Sequence, residues 1–203
     1  MPADIRTPTH DISAVILAGG RARRMDGADK GLIELRGRPL LDYIISALRP
    51  QVGAILVNAN RNLARYRAFG YPVSTDLMPG FHGPLAGMAT GMQAADTPYL
   101  LTLPCDSPFV AAHLADTLYR TLISAGVELS VAHDGVRLQP VFALLGCALL
   151  PDLLAYLDAG GRRVDTWYAR HRLAVADFST SPEMFLNLNT PADQAALEDR
   201  LDG

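Results

Sequence analysis

Apolar residues along this chain fall into short unbroken runs that alternate with stretches of helical spacing. The first run, residues 12–17 (ISAVIL), has the length and branched content of a strand buried on both faces of a parallel sheet. Similar runs at 54–57, 72–75 and 99–103 predict three further strands, the last being the most apolar and so the central one. Between them, Leu40, Leu41, Ile44, Ile45 and Leu48 recur at three- and four-residue steps, which predicts an amphipathic helix over 39–49 with Pro39 in its first turn. A short strand-like piece at 32–35 precedes a turn at Gly37-Arg38, and a glycine-rich stretch at 80–88 leads into a helix from about Pro84 to Ala95. Strands alternating with helices give the βαβ rhythm of a three-layer, doubly wound, mainly parallel α/β sheet.

The second half is less regular. A helix over 110–125, a strand at 128–132, a turn at Asp134-Gly135-Val136-Arg137 and a returning strand at 139–145 predict an antiparallel element joining the sheet. Helices follow at 149–157, closed by Gly160-Gly161, and at 162–170, which carries the lone tryptophan, Trp167. After a strand at 173–176, Thr190 as N-cap, Pro191 at N1 and Asp193 at N3 open a closing helix. No repeat, low-complexity tract or linker interrupts the pattern, so residues 12–203 read as one domain behind a loose tail of residues 1–11.

Composition narrows the classes. With 203 residues, 49% hydrophobic and 19% charged, the chain can bury a substantial core and is not a disordered segment. A net charge of −3 gives no basic face for non-specific nucleic-acid binding. The two cysteines, Cys105 and Cys147, stand in no metal-ligand spacing, which argues against a disulfide framework or zinc site and for a reducing cytosol. No apolar run approaches the roughly 18 residues of a membrane helix, and the first eleven residues lack a signal peptide's apolar stretch. The expectation is a cytoplasmic protein without membrane or nucleic-acid partners.

The chemistry is concentrated after the first strand. Leu17 is followed by Ala18, Gly19 and Gly20, where missing side chains let a ligand approach the backbone. Arg21, Arg23, Arg24 and Lys30 then face only Asp26 and Asp29, a loop suited to a polyphosphate. Neither Gly-x-x-x-x-Gly-Lys-Ser/Thr nor Gly-x-Gly-x-x-Gly is present, which excludes the two common nucleotide loops. Asn58, Asp76 and Asp106 each fall at the C-terminal end of an expected strand, the edge where open α/β sheets bind ligands. Asn and Asp are also ordinary turn and cap residues, but three at one edge weigh against coincidence. Asp106 is the metal candidate, because Mg²⁺ is commonly held by one or two carboxylates plus phosphate oxygens. Lys30 would act on phosphate as a point charge and Arg24 as a fork.

These motifs resemble those of molybdenum cofactor guanylyltransferases, the MobA family. The likeness runs from LAGGRARRM…DKGL through NANRN at 58–62, GFHGPLAGM at 80–88, LPCDSPF at 103–109 and DGVRLQPVFAL at 134–144 to NLNTP at 187–191. LAGG alone is shared by many nucleotidyltransferases; the later motifs are far more specific. The resemblance implies a Rossmann-like nucleotidyltransferase fold and transfer of GMP from GTP to the phosphate of molybdopterin, or its molybdenum form. It implies GTP binding by Leu17, Ala18, Gly19, Lys30, Asn58 and Asp76, with Gly20 and Arg24 in the same loop, and Mg²⁺ at Asp106. Gly83, Gly87, Gln139, Asn187 and Asn189 match segments lining the pterin side or finishing the site. It further implies transient contacts with cofactor-insertion proteins or recipient apoenzymes. Asp26 departs from the glycine usual in that loop. A CTP-using relative, a sugar-phosphate nucleotidyltransferase and an inactive nucleotide carrier are the alternatives. Retention of both Lys30 and Asp106 speaks against the carrier. Cys105 and Trp167 read as packing residues, and neither His82 nor His133 is given a catalytic role.

Overall fold

The computed structural model describes residues 9–19, 29–78 and 83–201, so Gly20, Arg24, Asp26 and His82 lie outside the described residues. In chain order the elements are β1 (Ile12–Leu17), β2 (Glu34–Leu35), β3 (Arg38–Pro39), α1 (Leu40–Leu48), β4 (Ala54–Asn58), α2 (Leu63–Arg67), β5 (Val73–Ser74), α3 (Pro84–Ala94) and β6 (Tyr99–Pro104). There follow α4 (Leu114–Ala125), β7 (Leu129–His133), β8 (Leu138–Gly146), α5 (Leu150–Asp158), α6 (Val164–Tyr168), β9 (Leu173–Asp177) and α7 (Pro191–Leu201).

Seven strands form one sheet in the order β5-β4-β1-β6-β8-β7-β9. β5, β4, β1 and β6 pair in parallel, β9 is parallel to β7, and β8 runs antiparallel between β6 and β7. β6 is therefore central, as its composition predicts. The chain moves from β1 out through β4 to β5 and then crosses to the other side of β1 to form β6. That reversal opens a crevice at the carboxyl end of β1, where the glycine loop departs.

Helices cover both faces, which explains why the strands read as continuous apolar runs instead of alternating ones. Ile12, Ala14 and Ile16 share a buried cluster with Ile44 and Leu48 of α1 and Leu114 and Leu118 of α4. Val15 points to the opposite cluster, with Leu85 and Met88 of α3, Leu153 of α5 and Trp167 of α6. Each buried Val, Leu, Ile or Met side chain among them contributes about 1.5–3 kcal/mol. A smaller cluster of Leu35, Leu40, Leu188 and Leu197 ties α7 to the β2–β3 hairpin.

Several boundaries differ from the sequence expectation for identifiable reasons. The helix expected over 110–125 begins at Leu114, because its first turn is capped from elsewhere. Gln51 accepts the Ala115 N–H at 3.1 Å and donates to the Ala111 carbonyl at 3.0 Å, holding residues 110–113 outside the helix. The helix expected over 162–170 shrinks to Val164–Tyr168, since Arg162 turns back to cap α5 through the Leu157 carbonyl at 2.7 Å. The piece at 32–35 divides into a 3₁₀ turn (Lys30–Leu32) and the two-residue β2, and Pro39 sits at the cap of α1, not in its first turn. The five-residue α2 has no counterpart in the hydrophobic pattern; it starts behind Asn62 in left-handed conformation, φ 48°.

Candidate functional site

Two groups of side chains meet at the carboxyl ends of β1, β4 and β6. The first is built on Lys30 and Asp106. Lys30 opens a 3₁₀ turn, and its Nζ donates to Asp106 Oδ2 at 2.8 Å and to Asn189 Oδ1 at 2.6 Å. Asp106 lies just past β6, and its backbone carbonyl accepts the Leu188 N–H at 2.9 Å. The Ser107 hydroxyl bonds Asn187 Oδ1, so the strand end and the segment before α7 are stitched together. Asn189 is placed in turn by a capping box. The Asp193 carboxylate accepts the N–H groups of Asn189 and Thr190 at 2.9 and 2.8 Å, and the Asp193 N–H donates to Thr190 Oγ1 at 3.1 Å. Asp106 thus has its oxygens divided: Oδ2 serves Lys30, while Oδ1 is buried and accepts no hydrogen bond among the described residues.

The second group stands on the far side of β1. Asn58 ends β4, and its Nδ2 donates to Asp76 Oδ1 at 2.9 Å and to the Ser74 carbonyl at 3.3 Å. Asn60 Nδ2 donates to Asp76 Oδ2 at 2.8 Å, and Asn60 Oδ1 accepts the Asp76 N–H at 3.0 Å. Leu17 and Ala18 run between the two groups, tied to them by Ala18 N–H on the Asn58 carbonyl (2.7 Å) and Cys105 N–H on the Leu17 carbonyl (3.2 Å). Gly19 rests on the amide pair: a Cβ there would come 2.9 Å from Asn60 Nδ2 and 3.2 Å from Asn58 Oδ1.

The remaining expected site residues occupy varied positions. Gly87 is buried in α3, where a Cβ would lie 2.5 Å from Asn58 Oδ1 and 2.6 Å from Leu17 Cδ2; its absence lets the helix press against the strand ends. Gly83 is exposed at the start of α3 with φ 76°. Gln139 lies near the start of β8, at the same sheet edge as Asp106, and donates to Asp134 Oδ2 at 2.6 Å. The N–H groups of Arg137 and Val136, with the Gln139 amide, hold the Asp134 carboxyl down to about 2. Asn187 is exposed beside Ser107.

Two contributors are not singled out as site residues by the sequence reading. Asn60 lies inside the NANRN run, where the repeat of Asn two residues after Asn58 was the available signal. Asp29 appears in sequence only as a counter-charge, yet it is buried and accepts Asn62 Nδ2 at 2.9 Å, anchoring the residue before Lys30. Cys105 is a packing group: burial, then the neighbouring Asp106 charge, push its thiol up to about 12 and keep it protonated. Trp167 is fully buried with its indole N–H on Asp152 at 2.8 Å, leaving no face for a ligand. His133 accepts the Gly135 N–H on its own hairpin.

The chain is similar to known proteins of one family. The MobA-like NTP transferase domain matches residues 14–174. The chain is 49% identical to the molybdenum cofactor guanylyltransferase of Shewanella sediminis, over 94% of this chain and 97% of that protein. It is 47% identical to the Shewanella loihica protein of the same name, with the same shares of each covered. Among solved structures, the molybdopterin-guanine dinucleotide biosynthesis protein A of Archaeoglobus fulgidus shares the fold at a TM-score of 0.78 and 21% identity, over 94% of this chain and 98% of that one. A Rossmann-like sheet with its glycine loop at the strand reversal, matched over most of its length by these sequences, makes this chain a member of the MobA-like nucleotidyltransferase family.

Proposed function

We propose that this chain transfers GMP from GTP to the phosphate of molybdopterin or its molybdenum form, releasing pyrophosphate and the guanine dinucleotide cofactor. The names of its relatives support the reaction, and one observation carries the chemistry: a lysine and a carboxylate with one oxygen unbonded among the described residues, side by side just past the carboxyl end of β6. The acceptor phosphate oxygen attacks the α-phosphorus of GTP, the bond between the α-phosphorus and its bridging oxygen breaks, and pyrophosphate leaves with the electron pair. No general base is needed, because a phosphate monoester with a second pKa of about 6 is already largely ionised at neutral pH. The protein's task is alignment and charge neutralisation.

Lys30, held between Asp106 and Asn189, presents its cation where the phosphates would leave the Leu17-Ala18-Gly19 backbone. Asp106 Oδ1 has the chemistry of a Mg²⁺ ligand, a hard, buried oxygen without a competing donor among the described residues. Among the described residues no cluster of three metal-ligating side chains exists, which suits an ion completed by phosphate oxygens and water. When bound, such an ion would spread charge building on the α-phosphate and the leaving pyrophosphate. The Asp76 carboxylate is held by the neutral amides of Asn58 and Asn60 and would repel a triphosphate, so its end of the crevice suits the base. Guanine offers two adjacent donors, N1–H and the 2-amino group, to a carboxylate; cytosine pairs its amino donor with an acceptor. This favours GTP over CTP. Gln139, Asn187 and Gly83 are left for the acceptor side. Hand-over of a labile product suits transient contacts with insertion proteins or apoenzymes, in the cytoplasm.

The test is pyrophosphate release with molybdopterin and Mg²⁺, with GTP and CTP in parallel, for the wild type and Asp106→Ala. Release with GTP alone, lost in a variant of unchanged melting temperature, is the expected result. Release with CTP alone would keep the mechanism and change the product; silence alongside GTP binding would favour a carrier. An active Asp106→Ala variant would remove the metal role.

A further inference from the structure

We propose that Asn60 is a positioning residue that fixes the Asp76 carboxylate for guanine and thereby sets discrimination against purines lacking the 2-amino group. The inference rests on the reading of the Asn58–Asp76 end as the base side of GTP. β5 contributes only Val73 and Ser74 to the sheet, so the strand ladder releases the chain before it reaches Asp76. What holds Asp76 is Asn60, through two bonds to one residue: Oδ1 accepts the Asp76 backbone N–H at 3.0 Å, and Nδ2 donates to the Asp76 carboxylate at 2.8 Å. This two-point grip restricts both the backbone and the side-chain torsion of Asp76. Asn58 holds the other carboxylate oxygen at 2.9 Å. Each oxygen has then accepted one N–H and keeps further acceptor capacity for ligand donors. Asn60 is itself confined from above by Gly19, where even a Cβ would come 2.9 Å from its Nδ2. One amide therefore links the nucleotide loop to the carboxylate.

Asn60 touches Asp76 and not the reacting atoms, so its effect must appear in base selection, not in general activity. Inosine triphosphate lacks the 2-amino group and isolates this effect. An acceptor left unpaired beneath a bound base costs about 1–3 kcal/mol, so wild-type kcat/KM should favour GTP over ITP by about 5- to 150-fold. In Asn60→Ala this ratio should fall to within about threefold, with the loss appearing mainly in KM for GTP. Asn60→Asp keeps the size and the acceptor for the Asp76 N–H but replaces the donor by a second carboxylate; it should lose the discrimination as fully as the alanine variant. Calorimetric binding of GDP and IDP gives the same comparison without acceptor or turnover, and melting temperatures report folding.

Retention of the wild-type GTP/ITP ratio in Asn60→Ala, or its restoration by Asn60→Asp, would overturn the assignment. So would a fall in affinity equal for GDP and IDP, which marks a role in packing alone. A wild-type protein that binds GDP and IDP equally would overturn it by a different route, placing the fault in the base-side reading before any Asn60 variant is measured.

Discussion

Gly87→Ala is the most direct probe of how the fold builds the nucleotide edge. In an isolated helix the change would stabilise by about 1 kcal/mol, since Ala propensity exceeds that of Gly by this amount. Here the added methyl would sit 2.5 Å from Asn58 Oδ1 and 2.6 Å from Leu17 Cδ2, so one neighbour must move. Asn58 cannot rotate freely: its Nδ2 is committed to Asp76 Oδ1 and the Ser74 carbonyl. A hydrogen bond to a charged group is worth about 1.5–3 kcal/mol, and overpacking a core costs about 1–3 kcal/mol. The added methyl meets both neighbours, so the two costs combine, and set against the propensity gain of about 1 kcal/mol the net destabilisation is about 1.5–5 kcal/mol. At about 2–4 °C per kcal/mol for a chain of this size, the melting temperature should drop by about 3–20 °C. GTP affinity should fall as well, because Asn58 and Leu17 both border the loop. Gly91→Ala, one turn along α3, is the control. Its Cβ would meet Leu100 Cδ2 and Val15 Cγ1 at 2.9 Å, so it should cost stability without weakening GTP binding. Thermal unfolding and calorimetric titration with GTP read both quantities. A Gly87→Ala protein as stable as wild type with unchanged GTP affinity would refute the reasoning, showing that the helix shifts and propensity prevails.

Two further predictions follow from the same edge. Lys30→Ala should raise KM for GTP and lower kcat by about 10²–10³, the typical cost of removing one transition-state donor, while Asn189→Ala, which leaves Lys30 its bond to Asp106, should cost less; unchanged GTP affinity and turnover in Lys30→Ala would end its phosphate role. Asp134 titrates at about 2 in the folded protein, below an unfolded value of about 3.9, so its stabilisation is present above pH of about 4 and is lost as pH falls through about 2. Urea midpoints of wild type and Asp134→Ala should accordingly differ by a constant amount near neutrality and converge towards pH 2; a gap that persists there would contradict the assignment.

Much of the sheet was legible because strands buried on both faces are apolar at nearly every position, and ISAVIL and YLLTL announce themselves, Ser13 and Thr102 being the polar exceptions. The closing helix was equally legible, since Thr190, Pro191 and Asp193 cap within three residues of one another. Elements shaped by distant partners were not. The start of α4 depends on Gln51, about sixty residues earlier, and the start of α6 on Arg162 turning back to α5. Five-residue α2 is too short for a period to register.

The same division runs through the candidate site. Local chemistry alone determined that a glycine loop, a lysine and strand-end carboxylates would share one edge, because the residue types and the βαβ rhythm are properties of neighbouring positions. Which of them touch was decided only by the tertiary fold: Lys30 meets Asn189 across 159 positions, and Asn60 grips Asp76 across 16. The physical reason is that a hydrogen bond requires placement to within a few tenths of an ångström. Periodicity specifies a face of an element, whereas that placement comes from packing helices and loops against a completed sheet.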